Sequence, residues 1–296
     1  GHHRQFQPRR RNRQYPNVRF SFHLYGGHLL CRVQQRLQRR RLELEPVAIP
    51  VDVGEPDLGA GGPRAAGDLP LREPAGTLEA VRGRGAEALT AVGDVTSQAD
   101  VAALAEQVGR HFGGASVLVN NAGIALLAPA EQTTPAQWQR VLEVNLTGPF
   151  LLCQQFGAMM LGAGNGSIIN VASIAGLQGI ADRAAYNASK HGLVGLTRTR
   201  AAEWGGRGVR VNAVCPGWVK TEMDTTDQAS GAYRDDDIIG QVPMGRFATP
   251  EDVAAAVAFL ADPTRSGFIN GVALPVDGGW TADASWTALR LRKRRT

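Results

Sequence analysis

The sequence predicts an α/β fold, a doubly wound parallel sheet with helices on both faces. Three observations lead to this fold class. Continuous apolar runs at 117–119, 166–172 and 209–214 are typical of buried strands. Stretches with apolar residues at helical spacing separate these runs. Small polar residues or glycine follow each run, at the edge where open α/β sheets bind ligands.

The composition is that of a globular protein with one ordinary domain and additional segments. The chain has 296 residues, of which 43% are hydrophobic. No apolar run approaches the length of a membrane span, and no apolar stretch follows the basic start as a signal peptide requires. Cys31, Cys153 and Cys215 show no metal-ligand or redox spacing, so we expect no metal site. We expect reduced thiols in a cytoplasmic protein.

Residues 1–76 lack the regular pattern of the rest of the chain. Arginine clusters at 9–13 and 36–41, and prolines recurring from 50 to 74, break any long element. Three interpretations are open: a disordered arginine-rich arm that touches nucleic acid or acidic surfaces, a divergent first βαβ unit, or an out-of-frame translation. We favour the third, because the change to regular patterning is abrupt.

The regular part extends over 77–280 and is predicted to form one domain. It begins with the end of a helix near Arg84 and a strand at 88–92. Ser97 to Asp100 form a variant of the capping box, which opens a helix over 101–112. Thr134 and Pro135 have the residue types of a helix N-cap and first position, and we expect a long helix that runs to about Met160.

The C-terminal half of this domain continues the alternation, with a helix over 185–204. Residues 222–247, which include Asp235–Asp237, are polar and are predicted to form an irregular loop over the substrate. Thr249 to Asp252 cap a helix over 253–260, and the last strand covers 272–276. Residues 281–296 form a basic tail.

One pair of side chains has residue types and a spacing that suit proton transfer. Tyr186 and Lys190 are four residues apart, so a helix places them on one face, one turn apart. An ammonium beside a phenol favours the phenolate and lowers its pKa, which lets the tyrosine exchange a proton near neutral pH. Ser173 directly follows the apolar run 166–172, at the ligand-binding edge. Taken alone, such a pair is more often an ordinary helix surface pair, so the surrounding motifs decide.

Four further motifs accompany this pair in a defined order. They are V-L-V-N-N-A-G at 117–123, V-N-L at 144–146, V-R-V-N-A-V-C-P-G-W-V-K-T at 209–221 and P-V-D-G-G at 275–279. In kind, order and spacing, these motifs resemble the short-chain dehydrogenase/reductase family over about 77–280. The resemblance implies a Rossmann-like fold and hydride transfer between NAD or NADP and a small alcohol, sugar, polyol or ketone.

The resemblance also implies roles for four catalytic residues. Tyr186 would be the general acid/base, and Lys190 would lower its pKa and bind the nicotinamide ribose. Ser173 would hydrogen-bond the substrate oxygen, and Asn145 would hold a water that links the lysine to solvent.

Twelve residues are implied to contact the cofactor. Asp94 would meet the adenine ring, and Thr221 would hold the nicotinamide carboxamide. The complete set is Asp94, Val95, Asn120, Asn121, Ala122, Gly123, Tyr186, Lys190, Pro216, Gly217, Val219 and Thr221.

A family member should also have a glycine-rich turn, resembling T-G-x-x-x-G-x-G, within the first 76 residues. The best candidate, Gly54 to Gly61, is one residue too long between its first two glycines. It also places Glu55 and Asp57 where backbone N–H groups should face a pyrophosphate. We therefore do not accept it as the phosphate loop, and the sequence does not discriminate NAD from NADP.

The substrate and the partners stay open. A small neutral alcohol is favoured over a 3-oxoacyl-acyl-carrier-protein, because Asp235–Asp237 make the expected loop acidic where a carrier protein needs a basic rim. A different class of function is a catalytically impaired scaffold that binds a partner or nucleic acid through the arginine-rich arm. The resemblance implies a homotetramer or homodimer built on the two long helices and the last strand, without a membrane partner.

Overall fold

The computed structural model describes residues 79, 81–83, 85–220 and 234–285, together with the backbone of 30–32. Several sequence predictions lie outside these residues. They include the two arginine clusters, the glycine-rich candidate at 54–61, the site residue Thr221 and the basic end of the tail.

Four parallel strands form the main sheet, side by side in chain order. The strands of the structure are β1 Leu30–Arg32, β2 Ala88–Thr90, β3 Val117–Asn120, β4 Gly166–Val171, β5 Val209–Pro216 and β6 Ala273–Val276. β3 to β6 make up the parallel sheet, whereas β2 pairs antiparallel with β1. The register places Asn120 opposite Asn170 and Val171 opposite Val214. The carboxyl ends of the parallel strands therefore meet at one edge, as the sequence predicts for the site.

Helices pack on both faces of this sheet. The α-helices of the described residues are α1 Gln98–Phe112, α2 Pro135–Leu142, α3 Gly148–Ala163, α4 Ala184–Trp204, α5 Asp235–Ile239, α6 Pro250–Ala261 and α7 Pro263–Ser266. Adjacent strand residues belong to opposite layers, because successive side chains of a strand alternate between faces. Ile168 packs in the layer of α3, and Ile169 packs in the layer of α6. The predicted α/β fold is confirmed.

The predicted long helix from Thr134 to about Met160 is present, but it contains a π-helical turn that the sequence did not indicate. The capping box of Thr134 and the proline at the first position start α2 as expected. A π-helical segment, Glu143–Thr147, then separates α2 from α3. The segment is centred on Asn145, whose side chain bonds outside the helix, and such π turns are frequent at functional sites.

Two smaller predictions also need correction. The region predicted as irregular contains α5, whose first turn is Asp235–Asp237, and negative charge there is favourable to the helix dipole. The Ser97 cap is half of a capping box: its hydroxyl accepts from the N–H of Asp100, but the Asp100 carboxylate accepts from the N–H of Asp94. The Asp100 carboxylate therefore bonds to the preceding turn and not to the N–H of Ser97.

Among the residues that the structure describes, no helix combines the length and the apolar character that crossing a bilayer requires.

Candidate active site

The site begins where β4 ends. Ser173 lies two residues beyond the strand, and its hydroxyl accepts a hydrogen bond of 3.1 Å from the N–H of Ala175. This bond caps the single 3₁₀ turn Ile174–Gly176. Cys215 lies beside this turn: burial raises the pKa of its thiol to about 11, and a hydrogen bond from the Ser173 backbone and the charge of Lys190 oppose this rise.

Lys190 is a buried cation in the first half of α4. It is 4% exposed, and its Nζ donates to the carbonyl oxygen of Val171 at 2.9 Å. Burial lowers its pKa from 10.5 to about 8. The Nζ lies 5.6 Å from the centroid of the Tyr186 ring. The structure therefore brings these two predicted residues together on one side of α4.

Asn145 occupies the centre of the π segment and is fully buried. Its Oδ1 accepts from the N–H of Ile124 at 2.8 Å, and its Nδ2 donates to the carbonyl oxygen of Ile124 at 2.9 Å. The same Nδ2 donates to the hydroxyl of Ser189 at 3.1 Å. These bonds supply the partners that a buried mid-helix asparagine requires.

Gly123 joins Asn145 and Lys190. A Cβ atom placed on Gly123 would lie 3.4 Å from Asn145 Oδ1 and 3.4 Å from Lys190 Nζ. The missing side chain keeps the space in front of the ammonium open. A lysine has three N–H donors, and the Val171 carbonyl takes one of them. These features fit the ribose hydroxyls at the nicotinamide end of NAD or NADP.

The other residues of the 120–123 turn differ in how deeply their side chains are buried. Ala122 is buried, and Asn121 is half-buried. Asn120 is 2% exposed, and its Nδ2 donates to Asn170 Oδ1 at 2.7 Å and to Cys153 Sγ at 3.3 Å. The side chain of Asn120 is thus committed to the protein interior, which leaves its backbone for the predicted cofactor contact.

The ends of β5 and β6 form the next part of the edge. Pro216 ends β5, and the Gly217 N–H donates to the carbonyl oxygen of Val276. A Cβ on Gly217 would lie 2.8 Å from the Cα of Asp277, so only glycine fits this approach. Val219 pairs with Ala248 in an isolated parallel bridge.

Asp94 and Val95 both make contacts that stabilise the local structure. The Asp94 carboxylate accepts from the N–H and the hydroxyl of Thr96, both at 2.8 Å, which stabilises the turn before α1. Val95 is buried against α3, since a Cβ on Gly148 would lie 2.9 Å from its Cγ2. The predicted adenine contact of these two residues stays a prediction.

Sequence reasoning missed two groups of residues near the site. Ser189 precedes Lys190 and bonds to Asn145; its position in N-A-S-K was a signal that could have found it. Arg183 is buried at the start of α4, with its guanidinium 5.6 Å from the Trp218 ring centroid, and Trp218 packs 6.0 Å from Trp280. No spacing rule connects these three residues, because they come from separate parts of the chain.

Known proteins resemble this chain in sequence. A family model described as enoyl-(acyl carrier protein) reductase matches residues 65–281. The chain is 46% identical over 188 residues to D-threitol dehydrogenase of Mycolicibacterium smegmatis, a match that covers 64% of this chain and 71% of the relative. It is 43% identical over 195 residues to galactitol 2-dehydrogenase (L-tagatose-forming) of Cereibacter sphaeroides, covering 64% and 74%.

Solved structures show the same relationship. The crystal structure of a gluconate 5-dehydrogenase from Burkholderia cenocepacia, in complex with NADP and tartrate, superposes with a TM-score of 0.67 at 33% identity. That match covers 71% of this chain and 82% of the other. The chain therefore belongs to the short-chain dehydrogenase/reductase family, the oxidoreductases that use NAD or NADP to interconvert alcohol and carbonyl groups.

Proposed function

We propose that this chain reversibly oxidises a secondary alcohol of a small polyol or sugar-derived substrate. One observation carries the proposal: the buried Lys190 ammonium is fixed by the Val171 carbonyl beside the Tyr186 ring. The named activities of the threitol, galactitol and gluconate dehydrogenases support a polyhydroxylated substrate.

Each catalytic residue has a proposed task. Bound NAD or NADP supplies the acceptor or donor of the hydride. Tyr186 takes the proton of the substrate hydroxyl during oxidation and returns it during reduction. Ser173 donates a hydrogen bond to the same substrate oxygen and orients it. Lys190 binds the ribose hydroxyls and holds positive charge beside the phenol, while Asn145 supports the path of the proton.

A 3-oxoacyl-acyl-carrier-protein substrate is the second candidate, and the description of the matching family model favours it. The charge of α5 argues against it. Asp235, Asp236 and Asp237 occupy the first turn of this helix and are exposed. An acidic carrier protein would meet like charges there, which disfavours its association.

A homodimer or homotetramer is the proposed assembly. Phe150 on α3 is 38% exposed, and the Arg200 guanidinium on α4 lies 5.5 Å from its ring centroid. Aromatic and arginine side chains are the types enriched in interfaces, and Phe150 is the exposed member of this pair. Replacement of Phe150 by glutamate is expected to lower the mass measured by light scattering, whereas an unchanged mass would contradict an interface on this face.

The test of the function separates cofactor binding from turnover. The purified chain is titrated with NADH and with NADPH by nucleotide fluorescence, and then assayed with D-threitol, galactitol and D-gluconate. We expect binding of one nucleotide and turnover of at least one substrate. Tyr186→Phe should keep nucleotide binding and lose activity by about 100-fold or more. The matched control is Thr199→Ala, an exposed position on the same helix.

The outcomes have distinct meanings. Binding without turnover in the wild-type chain would contradict the proposed substrates, and near-normal turnover by Tyr186→Phe would contradict the proposed mechanism. Failure to bind either nucleotide would favour the scaffold alternative that the sequence leaves open.

A further inference from the structure

Two buried hydroxyls on α4 make the same pair of hydrogen bonds. Ser189 Oγ donates to the carbonyl oxygen of Tyr186 at 2.7 Å and accepts from Asn145 Nδ2 at 3.1 Å. Thr197 Oγ1 donates to the carbonyl oxygen of Leu193 at 2.8 Å and accepts from Asn170 Nδ2 at 2.8 Å. Both hydroxyl residues are fully buried. The two arrangements connect different parts of the molecule.

The Ser189 arrangement connects three parts of the candidate active site. Ser189 bonds to the carbonyl of Tyr186 on α4, and Asn145 belongs to the π segment. Asn145 also clamps the backbone of Ile124, directly after Gly123. The Thr197 arrangement instead connects the middle of α4 to Asn170 on β4, two helical turns away from Lys190.

The donors and acceptors fix the direction of each bond. A serine hydroxyl has one proton, and the Tyr186 carbonyl can only accept, so Ser189 gives its proton to Tyr186. Ser189 therefore accepts one proton of the Asn145 amide, and the Ile124 carbonyl accepts the other. The Asn145 oxygen receives the Ile124 N–H. Loss of the Ser189 hydroxyl would leave a buried amide proton without its acceptor, which favours a reoriented amide.

We propose that Ser189 is a positioning residue for the reaction: it sets the first turn of α4, which carries Tyr186, against the π segment and the Gly123–Ile124 turn. Its hydroxyl does not touch the reacting atoms; it acts through Asn145 and through the backbone of Tyr186. The inference deepens the proposed function and rests on it for its kinetic consequence. Misalignment of a catalytic group lowers kcat more than it alters substrate binding.

The test compares Ser189→Ala with Thr197→Val, which removes the other buried hydroxyl. We expect both variants to lower the thermal midpoint. Ser189→Ala should reduce kcat on the order of 10-fold with little change in KM, because small displacements of catalytic groups have effects of this size. Thr197→Val should lose clearly less kcat than Ser189→Ala, because its bond network runs through Asn170 to the side chain of Asn120 and does not reach Tyr186 or the π segment. Equal losses of kcat in the two variants would show a merely structural role and overturn the inference.

A double-mutant cycle tests the route of the effect. If Ser189 acts through Asn145, the variant with both Ser189→Ala and Asn145→Ala should be scarcely slower than Asn145→Ala alone. If the loss of kcat in the double variant equals the product of the two single losses, Ser189 does not act through Asn145.

A measurement without turnover separates this inference from the proposed function. Amide hydrogen exchange at Ile124 reports the bond that Asn145 accepts. We expect faster exchange at Ile124 in Ser189→Ala and wild-type exchange there in Thr197→Val. Unchanged exchange at Ile124 in both variants overturns the inference, whether or not the wild-type chain turns over a substrate.

Discussion

The edge of the sheet that holds Lys190 and the surface between residues 234 and 252 use polar side chains in opposite ways. At the edge, Asn145, Ser189 and Lys190 are almost wholly buried, and they bond to backbone groups and to one another. On the surface, exposed ion pairs dominate, such as Arg246 with Asp252 at 2.6 Å and Lys220 with Asp235 at 2.5 Å.

This difference determines how strongly each region fixes the positions of its polar side chains. A buried polar group that loses its partner costs about 1–3 kcal/mol, so the bonds at the sheet edge hold each side chain in one place. An exposed ion pair typically contributes below about 1 kcal/mol and weakens with salt. We therefore expect substitutions at the edge to change both stability and catalysis, and substitutions on the surface to change stability alone and by less.

The largest expected effect concerns the charge of Lys190. Its pKa falls from 10.5 to about 8 on burial, and a change of this size corresponds to about 3 kcal/mol. Because the folded pKa lies below the unfolded one, the unfolded chain binds more protons between about pH 8 and pH 10.5. The free energy of unfolding should therefore rise with pH across this window, relative to Lys190→Met.

Urea unfolding of both proteins without nucleotide, at several pH values, measures this rise. Lys190→Met serves as the reference because it keeps most of the unbranched side chain and removes the titrating group. Parallel pH profiles for the two proteins would mean that the buried lysine does not titrate in this window.

The next effect concerns the packing of the 3₁₀ turn against α4. A Cβ on Gly176 would lie 2.7 Å from the carbonyl oxygen of Lys190, so Gly176→Ala must displace backbone. Overpacking of this kind costs about 1–3 kcal/mol. Activity should fall as well, because Ser173 and Lys190 move relative to each other. Gly179→Ala is the matched control, since nothing lies within 4 Å of its added Cβ. Similar stabilities in the two variants would contradict the close packing.

On the exposed side, the larger effect is expected from Asp252. Its carboxylate accepts from the Thr249 N–H at 2.8 Å and completes the capping box of α6, so Asp252→Ala should cost about 1 kcal/mol. The Arg246 side chain lowers the pKa of Asp252 from 3.8 to about 2. Since the folded pKa is depressed, this contribution is present above about pH 4 and is lost as the pH falls toward 2. Denaturation between pH 2 and pH 6 measures it, and a pH-independent difference from wild type would contradict it.

The smallest effect is expected from Arg246→Gln, which keeps the capping box and removes the ion pair together with the hydrogen bond from the guanidinium to the Phe247 carbonyl oxygen. Its cost should be less than that of Asp252→Ala and should vanish in about 1 M salt, where the Debye length is about 3 Å. A cost that persists in salt would indicate that packing of the arginine stem, rather than its charge, stabilises this surface. Turnover with any accepted substrate should stay at the wild-type value.

Local pattern was sufficient for much of the fold and for part of the site. The caps of α2 and α6, the four parallel strands and the one-turn spacing of Tyr186 and Lys190 follow from residue types and periodicity over short distances. The π segment was not predictable in this way. A helix of ordinary residues continues through it by propensity, and only bonds to the distant Ile124 and Ser189 favour the interruption.

The sequence by itself determined the α/β class, the family and the identity of the candidate catalytic residues, because these depend on spacing along the chain. Tertiary structure decided which polar side chains turn inward. Asn120 and Asn121 are adjacent and chemically identical, yet Asn120 is buried against Asn170 because β3 and β4 pair in that register. The partners of Asn145 and Ser189 were decided in the same way, since burial requires each polar group to find whichever neighbour the packing of distant elements supplies.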